Sequence, residues 1–139
     1  MALTQVKSQL MSASEIDRTL VRLAHEILEK TKDLSKLAFI GIRRRGVPLA
    51  ARLASKIEAL EKRAIPVGIL DINLYRDDLS TVGVKPQLND TQIDFSVEGL
   101  QIILMDDVLY TGRTIRAALD ALFDHGRPAV VQLLVLIDR

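Results

Sequence analysis

The sequence predicts an α/β domain, an open and mostly parallel sheet with flanking helices. Four apolar runs, AFIGI at 38–42, IPVGILDINLY at 65–75, QIILMD at 101–106 and VVQLLVLI at 130–137, read as strands. Such nearly unbroken hydrophobicity marks strands covered on both faces. Amphipathic stretches of helical period separate the runs, the alternation expected of parallel strands joined by helical crossovers. Polar clusters follow two of the runs, Arg43-Arg44-Arg45 and Asp106-Asp107, at the strand ends where an open parallel sheet takes its ligands.

The elements follow in order. Met1–Leu10 lacks the apolar core of a signal peptide and reads as a loose or locally paired arm. Ser12 or Ser14 can cap the first helix, with Glu15 in capping-box register to Ser12. That helix carries Ile16, Leu20, Leu23, Ile27 and Leu28 on one stripe and ends near Lys30. After the 38–42 strand, Pro48 falls in the first turn of a second helix, where its missing N–H lacks a partner anyway. Leu49, Leu53, Ile57 and Leu60 give that helix its inward face, and Arg52 and Lys56 point out. Arg76–Gln101, rich in Asp, Gly, Pro and Asn, reads as an irregular loop or hairpin. A third helix spans about Thr114–Phe123 and stops at His125-Gly126-Arg127-Pro128. The sequence stops at Ile137-Asp138-Arg139, directly after a strand. An uncovered strand edge is an interaction liability, so either a second copy covers it or the fold continues past position 139. The expectation is one domain over 1–139 and at least a dimer in solution.

Composition narrows the function. The 139 residues are 48% hydrophobic, which argues against disorder. Nineteen basic against 18 acidic side chains leave a net charge of +1, too little for general adhesion to nucleic acid. Cysteine is absent, which removes disulfides, a thiol nucleophile and thiolate metal sites and is compatible with a reducing cytoplasm. No apolar run approaches the ~20 residues of a membrane span.

LMDDVLYTGRTI at 104–115 carries the most chemistry. Two adjacent acids at a strand end repel one another unless hydroxyls, cations or N–H groups answer them. Vicinal sugar hydroxyls do so, since each carboxylate accepts several hydrogen bonds. The following Thr111-Gly112-Arg113-Thr114 leads into a helix, where successive backbone N–H groups form an anion-binding concavity. Gly112 leaves room for a phosphate, and the two threonines add hydroxyls. Acids for a diol beside a cradle for a phosphate indicate a phosphorylated ribose. The plainer alternative is an Asp pair that turns the chain and a threonine that caps the helix. A dinucleotide site lacks its GxGxxG, and a Walker-type site lacks its GxxxxGK[ST].

On these residues the chain resembles the type I phosphoribosyltransferases, whose signature is a hydrophobic strand, two acids and a TGxT loop, here ILMDDVLYTGRT. Within them it is similar to the bifunctional pyrimidine operon attenuator and uracil phosphoribosyltransferase subgroup. RTLVRLAHEILEK at 18–30, IGIRRRGVPLA at 40–50, DINLYRDDL at 71–79, DDVLYTGRTIRAALDAL at 106–122 and GRPAVVQLLVLIDR at 126–139 carry that likeness along most of the chain. The resemblance implies transfer of a phosphoribosyl group from phosphoribosyl pyrophosphate (PRPP) to uracil, giving UMP and pyrophosphate with Mg2+. It also implies uridine-nucleotide-dependent binding of pyrimidine operon leader RNA, which regulates transcription. By the same resemblance Asp106 and Asp107 hold the ribose hydroxyls, and Thr111, Gly112, Arg113 and Thr114 cradle the 5′-phosphate, with Val108, Leu109 and Tyr110 leading into that cradle. The loop Ile42–Gly46, with Arg43, Arg44 and Arg45, meets pyrophosphate and in relatives often contains a cis peptide. Tyr75 and Arg76 belong to a mobile arm around 75–100 over the site, where Arg76 brings charge to pyrophosphate.

Asp71 stands as a supporting acid for a magnesium ion held mainly by substrate oxygens and water. Arg18, Arg22 and His25 share one helix surface suited to RNA phosphates, with Glu26 and Glu29 competing as salt-bridge partners. His125 reads as part of a helix end. The chain departs from the pattern in three places. Relatives often have Lys-Thr-Arg-Gly or Tyr-Thr-Arg-Gly at 43–46, Val21 stands where they place an RNA-facing threonine, and they continue through a GHRELPI segment beyond position 139, so the resemblance implies that the chain lacks its C-terminal part. Two other functions remain open: a catalytically weak RNA-binding regulator that uses the site as a nucleotide sensor, and a phosphoribosyltransferase for another base.

Overall fold

The computed structural model describes residues 2–8, 13–72, 91–106 and 112–138. Five parallel strands form one sheet: β1 (Ala2–Ser8), β2 (Leu37–Ile42), β3 (Val67–Leu70), β4 (Gln101–Asp106) and β5 (Val130–Asp138), in the order β1-β5-β4-β2-β3. Helices α1 (Ala13–Lys30), α2 (Gly46–Glu61) and α3 (Gly112–Phe123) cover its two faces.

Alternation along the strands sorts the core into two layers. Leu37, Phe39, Ile103, Met105, Leu134 and Leu136 face α1 and α2, where they meet Leu20, Leu23, Leu53 and Ile57. Ala38, Ile40, Ile42, Ile102, Leu104 and Leu133 face α3 and meet Ala117, Ala118, Ala121 and Leu122. Each fully buried leucine or isoleucine contributes about 1.5–3 kcal/mol relative to exposure, so both layers are needed for a stable sheet. Lys56 Nζ of α2 reaches Asp17 Oδ1 of α1 at 2.6 Å and ties the two helices on their outer side. That contact holds the Asp17 carboxyl below the usual carboxylate range, chiefly through the hydrogen bond from Lys56 and then through its charge.

The strand and helix order agrees with the sequence reading, with local differences. Helix α1 begins at Ala13, so Ser14 lies inside it and is not its cap, while Ser12 lies outside the described residues. Leu60 is exposed in the last turn of α2, because the inward stripe ends at Ile57, and Lys56 is half-buried rather than outward. Strand β3 stops at Leu70, although Asp71 and Ile72 stay buried beyond it. Helix α3 starts two residues earlier than read, at Gly112. Residues 91–100 are irregular apart from a bridge between Ile69 and Gln92. The edge of β5 is not bare: the chain's own residues 2–8 pair with it in parallel, from Ala2 opposite Gln132 to Ser8 opposite Asp138. The sequence pattern gave the arm no partner because β1 has no apolar run of its own. Its partner therefore could not be read locally.

Candidate active site

The connections on either side of the β2–β4 boundary run in opposite directions. From β2 the chain passes through α2 on one face to β3, and from β4 it passes through α3 on the other face to β5. A crevice opens beyond the carboxyl ends of the strands at such a reversal, the usual ligand position in open α/β sheets. The pairing of Gly41 with Met105 brings Ile42 and Asp106 to the end of the sheet side by side.

Two close approaches narrow this crevice. A Cβ on Gly41 would stand 2.5 Å from the Gly46 carbonyl oxygen and 2.7 Å from Val47 Cα. A Cβ on Gly46 would overlap the Met105 carbonyl oxygen and lie 3.2 Å from Asp106 Cα. Without side chains at these positions, the first turn of α2 lies directly against the ends of β2 and β4. The loop Arg43–Arg45 is thereby held beside Asp106. The Arg43–Arg44 peptide is cis.

Asp106 is buried at the end of β4, and alternation along the strand puts it on the α3 face, opposite to Met105. Gly112, Arg113 and Thr114 form the first turn of α3, so their backbone N–H groups stand at a helix N-terminus, the end that favours anions. Asp107, Val108, Leu109, Tyr110 and Thr111 lie outside the described residues, as do Tyr75 and Arg76.

Across the crevice, the Arg43 N–H donates to the Leu70 carbonyl at 2.9 Å and extends the β2–β3 ladder by one bond. In the next register position Arg43 Nη1 lies 3.7 Å from Asp71 Oδ2. The Asp71 backbone N–H donates to Thr91 Oγ1 at 2.9 Å. Arg44 is exposed and makes no side-chain ion pair among the described residues. Asp71 and Asp106 are the buried acids among the described residues, and both lie at this end of the sheet. No group of three or more His, Cys, Asp or Glu suited to a metal occurs among the described residues.

The phosphoribosyl transferase domain model matches residues 8–139. The chain belongs to the phosphoribosyltransferase family. Among curated relatives of this phosphoribosyltransferase, the Bifunctional protein PyrR of Acetivibrio thermocellus is 59% identical over 133 residues, covering 96% of this chain and 72% of that one. The Bifunctional protein PyrR of Thermus thermophilus is 55% identical over 133 residues, covering 96% of this chain and 74% of that one. In three dimensions the chain is similar to a hypoxanthine-guanine phosphoribosyltransferase of Bacillus anthracis, with a TM-score of 0.70 at 22% identity over 96% of this chain and 74% of the other. A purine phosphoribosyltransferase of Pyrococcus horikoshii gives a TM-score of 0.64 at 19% identity over 99% of this chain and 79% of the other. These solved structures establish the fold that the phosphoribosyltransferase chain shares with them.

The residues read from sequence as suited to RNA lie on α1. Arg18, Arg22 and His25 are all exposed, and Val21 beside them is 37% exposed. Arg22 Nη1 is 3.7 Å from Glu26 Oε1, a helical i,i+4 pair, so one of the anticipated competing contacts is present. The His125 N–H donates to the Leu122 carbonyl at 2.9 Å in the turn after α3, a helix-ending role. Sequence reasoning missed the ion pair of Arg43 with Asp71 and the Thr91 hydroxyl behind it. The available signal was positional, since Arg43 and Asp71 each follow a strand, but using it required knowing that β2 and β3 are neighbours. Among the described residues, no helix is long and apolar enough to cross a membrane.

Proposed function

We propose that the chain transfers the phosphoribosyl group of PRPP to uracil, giving UMP and pyrophosphate. The observation that carries this reading is the close approach of Gly46, directly after the Arg43–Arg45 loop, to the end of β4 at Met105 and the buried Asp106. In the reaction the bond from the ribose anomeric carbon to the pyrophosphate oxygen breaks, and its electron pair leaves with pyrophosphate. A uracil ring nitrogen forms the new bond and gives up its proton. The protein must hold the ribose, stabilise the leaving anion and exclude water.

Asp106, with Asp107, takes the ribose hydroxyls, and the 111–114 turn takes the 5′-phosphate at the start of α3. Arg43, Arg44 and Arg45, with Arg76 from the 73–90 segment, supply positive charge to the leaving group. Magnesium bound to PRPP would neutralise part of the diphosphate charge. The choice of uracil rests on the resemblance of DINLYRDDL and GRPAVVQLLVLIDR to the pyrimidine operon subgroup.

A second activity rests on a separate observation. Arg18, Arg22 and His25 line one exposed face of α1 and suit the backbone of pyrimidine operon leader RNA. Uridine nucleotides in the crevice would then tune RNA binding, and two copies would present two such faces.

A spectrophotometric assay with PRPP, magnesium and either uracil, orotate, hypoxanthine or guanine tests the transferase. Turnover with uracil is expected. Folded protein without turnover on any base would overturn the transferase reading and favour a nucleotide-sensing regulator. Leader-RNA binding measured with and without UMP over a range of salt tests the second activity. Equally weak binding to leader and unrelated RNA would overturn it.

A further inference from the structure

We infer that Asp71 is a positioning residue for Arg43, fixing its guanidinium at the mouth of the crevice for a diphosphate oxygen. The inference rests on the transferase reading of the site. Asp71 is 3% exposed, and it follows β3 directly. Its main chain is held by the Thr91 hydroxyl at 2.9 Å, so the carboxylate starts from a fixed point. Arg43 follows β2 and is locked into register with β3 by its N–H bond to Leu70. The two side chains therefore emerge from neighbouring strands one step beyond the Ile42–Leu70 pair, on the same face of the sheet.

The burial is unequal. The Asp71 side chain is 4% exposed and that of Arg43 is 37% exposed, so a sheltered acid meets a cation that reaches solvent. A free arginine side chain has many rotamers to lose when it grips an anion. A buried, immobile carboxylate removes much of that loss in advance. The 3.7 Å separation is longer than a close bidentate pair, and a guanidinium carries five N–H donors, more than one carboxylate uses. Arg44 has no such anchor among the described residues and adds charge without fixed direction. On this basis Arg43 and Arg44 divide their work, with Arg43 as the oriented donor.

The test is calorimetric binding of inorganic pyrophosphate with magnesium to the full chain, alongside steady-state kinetics with PRPP. Variants are Asp71→Asn, Arg43→Met and the double substitution. Asp71→Asn is expected to weaken pyrophosphate binding about 10-fold, the scale of one charge-assisted hydrogen bond, and to raise KM for PRPP by a similar factor with a smaller change in kcat. The double variant should be no weaker than Arg43→Met alone, because the acid acts through the arginine. Additive losses would overturn the inference. So would Asp71→Asn binding pyrophosphate like the parent while needing more magnesium, which would assign the acid to the metal. If Asp71→Asn does not fold, Arg43→Met carries the test, and parent-like pyrophosphate affinity in that variant would overturn the inference. A parent protein that binds neither pyrophosphate nor PRPP would sink the transferase reading itself, and this inference with it.

Discussion

Replacing Gly46 by alanine separates packing at the crevice from helix propensity. Gly46 opens α2, and in an unobstructed helix Gly→Ala would gain about 1 kcal/mol. Here the new methyl overlaps the Met105 carbonyl oxygen and lies 2.9 Å from its carbon. With carbon contacts normally near ~3.5 Å, relief requires a shift on the order of 1 Å. The obstructing group is main chain in an interior strand, so it has no rotamer by which to yield, and overpacking of this kind costs about 1–3 kcal/mol. The overlap therefore outweighs the propensity gain, and the expected net loss is up to about 2 kcal/mol.

The functional loss should be larger than the stability loss. The displaced parts are the Arg43–Arg45 loop and the end of β4 that carries Asp106, and a misplacement of about 1 Å at a reacting centre can lower rate by ~100-fold. Urea unfolding gives the first quantity and kcat/KM for PRPP the second. A variant as stable as the parent, or more so, with kcat/KM within about threefold, would refute the close approach as the device that builds the site.

Other perturbations address single contacts. Asp106→Asn keeps the shape and removes the charge proposed to receive the ribose hydroxyls. Kinetics should show about a 100-fold fall in kcat/KM, the scale of one or two charge-assisted hydrogen bonds, with little change in melting temperature. Lys56→Met removes the partner of Asp17. Because pairing lowers the folded carboxyl's pKa, its contribution is present above the unfolded value of about 4 and is lost as pH falls through the lower folded value. Urea midpoints of parent and variant should therefore differ at neutral pH and converge in acid. A pH-independent difference would mean that Lys56 acts through its packed hydrocarbon stem instead.

The parallel sheet was legible because QIILMD and VVQLLVLI are apolar on both faces, a property that survives without knowledge of neighbours. β4 falls at the residues read from sequence, since its run is bounded by Asp106 at one end. Asp106 and the start of α3 were legible for the same local reason. What escaped was non-local. The partner of 2–8 is β5, far along the chain and unmarked by any apolar pattern in 2–8. The Arg43–Asp71 contact depends on the β2–β3 register, and the roles of Gly41 and Gly46 depend on which strand lies beneath the first turn of α2. Leu60 fits the helical spacing of the inward stripe, yet it is 44% exposed, because the buried stripe ends at Ile57.

Ile69 and Gln92 exchange two main-chain hydrogen bonds at 2.8 Å, and Thr91 grips the backbone of Asp71. The intervening 73–90 stretch thus departs from and returns to one spot on the scaffold. Ring-closure entropy rises only with the logarithm of length, about 0.6 kcal/mol for each doubling. A change in the length of that link should therefore by itself cost the strands on either side less than about 1 kcal/mol.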